Sequence, residues 1–160
     1  MVDFPRNESI YDLIGLGGTF DQFHLGHADL IKTAFRFGKH VAIGLTTEKL
    51  LDNKILKNKI QSYAQREENL KKYIQSEIGV TEKYYTIIPL NDPFGPAITD
   101  KNLQAHVSSM ETYKIAIKIN ELRIKNGLKP LVLIIIPIIL KKSGKRYSST
   151  EIRKKYLLSG

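Results

Sequence analysis

The chain has 160 residues, 42% of them hydrophobic, which holds one domain with a real core and excludes a disordered coil. It has no cysteine, which excludes a disulfide scaffold, thiolate metal sites and a cysteine nucleophile. The net charge of +9 suits polyanionic partners, but the lysines are dispersed and read as a solvated surface.

Tyr11–Leu16 is a short apolar run ending at Gly17-Gly18, the pattern of a buried strand. Ala28–Phe37 has apolar residues at helical spacing, and His40–Leu45 reads as a second strand. Lys49–Ile60 is basic and without period, a loop with a short helix. Ser62-x-x-Gln65 is a capping box that opens a helix, with 63, 70, 73, 74 and 78 on its buried face and Gly79 as its stop. Tyr84–Leu90 is β-rich, and Asn91–Pro96 (NDPFGP) is a loop by its turn chemistry. Leu103–Val107 reads as a short strand. Ser108-x-x-Glu111 reads as a second capping box, opening a helix that runs to Gly127. Leu131–Ile139 is nearly continuous β-branched sequence, broken only by Pro137, and suits a strand covered on both faces. Ser148-x-x-Glu151 opens a last helix to about Leu158.

Strands alternate with helices, and no linker or repeat divides the chain, so 1–160 is read as a single domain. The fold class is α/β: a Rossmann-like, doubly wound, mostly parallel sheet of about five strands with helices on both faces. Ligands of such sheets bind beyond the carboxyl ends of the strands, at the switch point. Met1–Asp12 carries three acidic residues and no apolar run, so no signal peptide is read there. The longest apolar stretch, Leu131–Leu140, falls well short of the roughly 20 residues that a membrane span needs. A cytoplasmic protein with no membrane partner is expected.

Two segments carry chemistry. The first is Gly17-Gly18-Thr19-Phe20-Asp21-Gln22-Phe23-His24-Leu25-Gly26-His27, directly after the first strand. Paired glycines let backbone N–H groups approach a bulky anion, and the following helix start favours phosphate. His24 and His27, at i and i+3, share one side of the first turn and can both donate to one phosphoryl group. Gly26 would let a nucleotide lie against the helix start. The glycines do not complete a dinucleotide fingerprint, because Phe20 stands where the third glycine belongs. Two further readings stay open: the histidines as metal ligands with Asp21 or a remote third ligand, and the histidines as helix caps or packing groups.

The second segment is Tyr147-Ser148-Ser149-Thr150-Glu151-Ile152-Arg153, after a basic loop. Hydroxyls and free amides at a helix start bind phosphate oxygens, and Arg153 adds a charge-assisted bond one turn in. The bland alternative is an ordinary serine cap with an exposed arginine. Lys142-Ser143-Gly144-Lys145 lacks the full P-loop pattern.

GGTFDxxHxGH resembles the signature of the HxGH nucleotidyltransferases, and YSSTEIR resembles their ISSTxIR motif with Tyr147 in place of the usual isoleucine. Across 12–158 the chain is most similar to the archaeal type of phosphopantetheine adenylyltransferase. The resemblance also rests on Gly44–Glu48, Lys54 upstream of Tyr63 and Arg66, PLNDPFGP, SMETY, Asn120 with Arg123, and GLKP. Met110 stands where the family usually has the first of two acidic residues.

The resemblance implies adenylyl transfer from ATP, with magnesium, to 4′-phosphopantetheine. Attack would be in line, with no covalent intermediate. It assigns His27, His24 and Lys54 to catalysis. Gly17, Gly18, Thr19, Phe20, His24, His27, Tyr147, Ser148, Ser149, Thr150 and Arg153 would bind ATP. Thr19, Asp21 and Lys54 would bind the acceptor, and no metal ion is assigned to protein ligands. Lys57 and Lys59 lie on the same segment as Lys54 and compete for its role. The rivals are another transferase of the superfamily with a different phosphorylated acceptor and, more remotely, a non-catalytic nucleic-acid-binding domain.

Overall fold

The structure is a computed structural model and describes residues 9–51 and 57–137. Five strands form one sheet: β1 (Tyr11–Gly18), β2 (Gly38–Thr46), β3 (Tyr85–Leu90), β4 (Ala105–Ser109) and β5 (Val132–Ile136). Three helices join them: α1 (Leu25–Phe37), α2 (Tyr63–Tyr73, continued by a π-turn over Ile74–Ile78) and α3 (Tyr113–Lys125). The order across the sheet is β3-β2-β1-β4-β5, and every pairing is parallel. The chain winds outward from β1 to β3, then returns to the other side of β1. The switch point therefore lies where β1 and β4 end side by side.

Two cores cover the two faces. Ile14, Leu16, Val41, Ile43 and Leu45 pack with Ile31 and Phe35 of α1 and Leu70 and Ile74 of α2. On the opposite face, Leu13 and Leu133 pack with Leu103, Leu131 and Ile119 of α3. Neighbouring residues of one strand (Leu13 and Ile14) thus enter different cores, as the two-residue period requires.

Helix α1 passes into β2 without a loop. Gly38 is both the cap of the helix and the first residue of the strand, and its N–H donates to Ala34 O. A Cβ at Gly38 would stand 2.1 Å from Ile14 Cγ2 and 3.1 Å from Ala34 O, so only glycine lets the junction close against β1. Helix α2 buries Arg66, Leu70, Ile74 and Ile78, four residues apart. The wider π-turn brings Ile74 and Ile78 onto the face that Arg66 and Leu70 begin. Gly79, at φ 76°, stops the segment with its N–H on Ile74 O.

Three boundaries differ from the sequence expectation. The fourth strand is Ala105–Ser109, not 103–107, and Leu103 packs into the second core before the strand begins. Ser108 is not a helix cap. It lies buried in β4, paired with Ile135, and the cap position of α3 is Thr112. Pairing with β5 carries the strand to Ser109 and delays the helix; Ser108 Oγ then hydrogen-bonds Thr112 Oγ1 at 2.8 Å. The fifth strand is described over Val132–Ile136, where Val132 and Ile135 remain 49% and 37% exposed, so cover on both faces is incomplete there. Residues 138 and 139 of the expected strand, and the helix expected at 148–158, lie outside the described residues. Among those described, no helix is long and apolar enough to cross a membrane.

Candidate active site

The turn after β1 is strained and strapped. Phe20 and Gln22 adopt φ of 51° and 47°, a region that a bulky side chain rarely enters. Such strain persists only where the surroundings over-determine it, and here the straps come from the start of α2. Arg66 Nη1 donates to Thr19 O at 3.0 Å, and its Nε donates to Gln61 O at 2.9 Å. Gln61 N donates to Asp21 Oδ1 at 2.9 Å, and Gln22 N to Gln61 Oε1 at 3.4 Å. Thr46, at the end of β2, donates its hydroxyl to Thr19 Oγ1 at 3.1 Å. Phe20 and Asp21 are buried beneath the turn, and Thr19 is half-buried at its crest.

The two histidines form a reciprocal cap on α1. His24 is the N-cap residue, and its Nδ1 accepts from Gly26 N at 3.1 Å. His27 stands at the third helical position, and its Nδ1 accepts from His24 N at 3.3 Å. Imidazole here takes the parts that serine and glutamate play in the usual capping box. The rings stack with centroids 3.7 Å apart, and Phe20 and Phe23 each lie 5.3 Å from the His27 ring. The capping reading holds, on Nδ1, and is compatible with the phosphate reading, which concerns the other ring nitrogen. A ring whose Nδ1 lone pair accepts a backbone N–H carries its proton on Nε2 when neutral. Both imidazoles are thereby set as Nε2–H donors at a helix start whose dipole favours anions. Gly26 has a second, exact geometric reason: a Cβ there would stand 2.9 Å from His24 Cε1 and displace the capping ring.

Each histidine commits Nδ1 to the backbone, and Asp21 is sealed below the turn. Among the described residues, no three His, Cys, Asp or Glu side chains converge on one point.

The structure thus brings Gly17, Gly18, Thr19, Phe20, Asp21, His24 and His27 together at the switch point. Lys54, Tyr147, Ser148, Ser149, Thr150 and Arg153 lie outside the described residues. Lys59, one of the two competitors of Lys54, is exposed. Sequence reasoning assigned no role to Arg66. It is fully buried, and burial draws its pKa below the usual arginine value against the opposing charges of Glu48 and Asp21. Its signal was present in the helical period, since 66 precedes 70, 74 and 78 on one face. A charged residue is not counted toward a core, so 66 was left off the buried face read as 63, 70, 73, 74 and 78.

A cavity of about 60 Å³ lies on the α3 face of the sheet. Its floor is nearly free of side chains: Gly15 and Gly17 of β1 beside Ala42 and Gly44 of β2. Leu90 at the end of β3 walls it with Phe94 and Pro96 of the NDPFGP loop, and Ile119 of α3 closes the far side. The floor must be small, because a Cβ at Gly44 would stand 2.5 Å from Leu90 Cδ1. The loop is held by its own chemistry. Asp92 Oδ1 accepts from Phe94 N and Gly95 N at 2.9 and 2.8 Å. Behind it, buried Arg123 donates to the carbonyls of Ala97, Asp100 and Lys129 at 2.6, 2.8 and 2.8 Å. Asn120 clamps Leu131 through both backbone groups, at 2.9 and 2.7 Å.

A doubly wound parallel sheet with a capped histidine pair at its switch point defines a nucleotidyltransferase of the cytidylyltransferase-like class, and that family's model matches residues 16–155. The chain is 43% identical over 143 residues to a phosphopantetheine adenylyltransferase from Thermococcus kodakarensis, covering 89% of this chain and 85% of that one. It is 40% identical over 144 residues to one from Methanosarcina mazei, covering 88% and 90%. The chain belongs to the phosphopantetheine adenylyltransferase family. Among solved structures, a protein of unknown function from Archaeoglobus fulgidus superposes with a TM-score of 0.69 at 30% identity, covering 77% of this chain and 87% of that one. The fold is shared with a bifunctional NMN adenylyltransferase/ADP ribose pyrophosphatase from Francisella tularensis, solved with AMP and a manganese ion. That match has a TM-score of 0.59 at 21% identity and covers 94% of this chain and 42% of that one.

Proposed function

We propose that the protein transfers the adenylyl group of ATP to 4′-phosphopantetheine, giving dephospho-coenzyme A and pyrophosphate. One observation carries this reading: the reciprocally capped His24–His27 pair stands at the switch point of a chain 43% identical to a phosphopantetheine adenylyltransferase. An oxygen of the acceptor's phosphate attacks the α-phosphorus of ATP. The bond from that phosphorus to the bridging oxygen breaks, and pyrophosphate leaves with the electron pair. A phosphate nucleophile is already ionised near neutral pH, so the chemistry needs no general base. Positioning and charge stabilisation supply the acceleration.

In this reading His27 Nε2–H donates to the α-phosphate as charge builds in the transition state, and His24 Nε2–H assists on the phosphates. The Gly17–Phe20 backbone and Thr19 seat nucleotide and acceptor. Asp21 serves the acceptor side by holding the turn. Lys54 bridges the acceptor phosphate and the α-phosphate. Tyr147, Ser148, Ser149, Thr150 and Arg153 hold the departing pyrophosphate. A divalent ion, magnesium in our reading, would arrive with the triphosphate and would neutralise part of its charge. The acceptor's arm enters the glycine-floored cavity beside Phe94, where its apolar walls match an aliphatic chain. The enzyme works in the cytoplasm.

Mass spectrometry of products after incubation with Mg·ATP and 4′-phosphopantetheine tests the reading. Dephospho-coenzyme A with equimolar pyrophosphate is expected. Pyrophosphate release only with another phosphorylated acceptor, or with CTP in place of ATP, would overturn the substrate assignment and leave the fold and the His27 mechanism standing.

A further inference from the structure

The cavity has a polar group that neither its packing nor the adenylyl-transfer chemistry uses. His106 lines it from β4, opposite Gly15 on one side and Leu133 on the other. Its Nδ1 is buried and has no hydrogen-bond partner. Burial alone holds its pKa down at about 4, so the ring is neutral at physiological pH. A buried imidazole nitrogen without a partner is costly and rare in a native protein.

The ring lies against the glycine floor: a Cβ at Gly15 would stand in ordinary contact with His106 Cδ2, at 3.6 Å. The other polar side chain in the lining, Asp100, has its own work: its Oδ1 accepts from Asn102 N at 2.8 Å. The remaining walls are apolar. The cavity's volume of about 60 Å³ suits the end of a narrow chain, not a ring system. A neutral imidazole in an apolar pocket pairs with an uncharged amide or thiol and disfavours a charged group, which would lose its hydration there.

We propose that His106 is a specificity-determining residue, hydrogen-bonding the uncharged polar end of the acceptor's arm within this cavity. The proposal rests on the reading above that the arm enters the cavity, and its test separates the two. Steady-state kinetics compare 4′-phosphopantetheine with 4′-phosphopantoyl methylamide, the same acceptor cut short after its first amide. The parent enzyme should prefer the full arm. His106→Leu should raise KM for 4′-phosphopantetheine about three- to tenfold, the loss of one hydrogen bond. It should leave KM for the methylamide and for ATP unchanged, and His106→Gln should recover part of the loss. A parent that binds both acceptors alike overturns the cavity reading and this proposal with it. A parent that prefers the full arm, with His106→Leu keeping that preference or shifting both acceptors equally, overturns the role of His106 alone.

A second measurement needs no variant to fold. In the parent protein, the imidazole 15N signals of His106 should move when 4′-phosphopantetheine is added without ATP, and should stay in place with the methylamide. Signals indifferent to both compounds overturn the proposal.

Discussion

The reciprocal cap makes the histidines informative one atom at a time. Alanine at 27 removes both the cap acceptor and the donor. His27→Asn is sharper, because its amide oxygen still accepts the His24 N–H while Nε2–H is gone. Turnover should fall by about two to three orders of magnitude, the usual loss for a donor to transition-state charge. The melting temperature should move little. A kcat within tenfold of the parent in the product assay would remove His27 from the chemistry. Arg66 belongs to the same scale but acts through the turn. Arg66→Met deletes the donors to Thr19 O and Gln61 O and should cost about 3 kcal/mol in denaturant unfolding. Arg66→Lys should not restore it, since an ammonium lacks the planar fork. The GGTFDQFHLGH residues were legible because their types are rare in combination. Arg66 was not, because burial of a charged side chain leaves no mark on a hydropathy pattern.

At the scale of elements, the strands and helices of the first half were legible to within about three residues. Apolar period and glycine punctuation agree there: β1 stops with its paired glycines, and Gly79 ends α2 and its π-turn where a left-handed residue was expected. The second half misled at Ser108, where a capping pattern lies inside a strand. Local chemistry offered the hydroxyl a cap; pairing with β5 used the same backbone for the sheet. The loop-free joint between α1 and β2 carries its own test. Gly38→Ala drives a methyl into Ile14, a stiff, β-branched neighbour with nowhere to turn. It should cost about 2 to 3 kcal/mol in stability by overpacking. Ile14→Ala in the same chain should return part of that, as the shift of the urea midpoint reports. Equal midpoints for the parent and Gly38→Ala would show that the joint has slack.

For the whole molecule, the doubly wound topology was legible because strand and helix patterns alternate, and alternation with right-handed crossovers leaves few arrangements. The cavity was not legible: its floor joins glycines of β1 and β2 that lie far apart in the chain, and His106 reaches its lining from β4. His106 also couples the global stability to pH. Burial pulls its pKa from the ordinary imidazole value of 6.5 down to about 4 in the folded state, so the unfolded chain binds the proton first as pH falls. The stabilisation is whole above pH 6.5 and is lost progressively down to about pH 4. The parent should lose about 2 to 3 kcal/mol over that window beyond what His106→Leu loses. Parallel stability curves for the two proteins would show that His106 takes up its proton without strain.

The joint at Gly38 also decides where catalysis happens. Helix α1 spans 13 residues, about 20 Å, with the histidines at one end and the strand β2 at the other. With no linker between them, the helix has neither play along its axis nor freedom to spin. One residue of slippage would turn the imidazoles by about 100° around the axis, out of line with the glycine turn. The angular setting of His24 and His27 is thus inherited from the register in which Gly38 pairs with Tyr11, at the amino ends of the two strands. Like the bit of a key cut at one end and turned from the other, the active site takes its alignment from a place no substrate reaches.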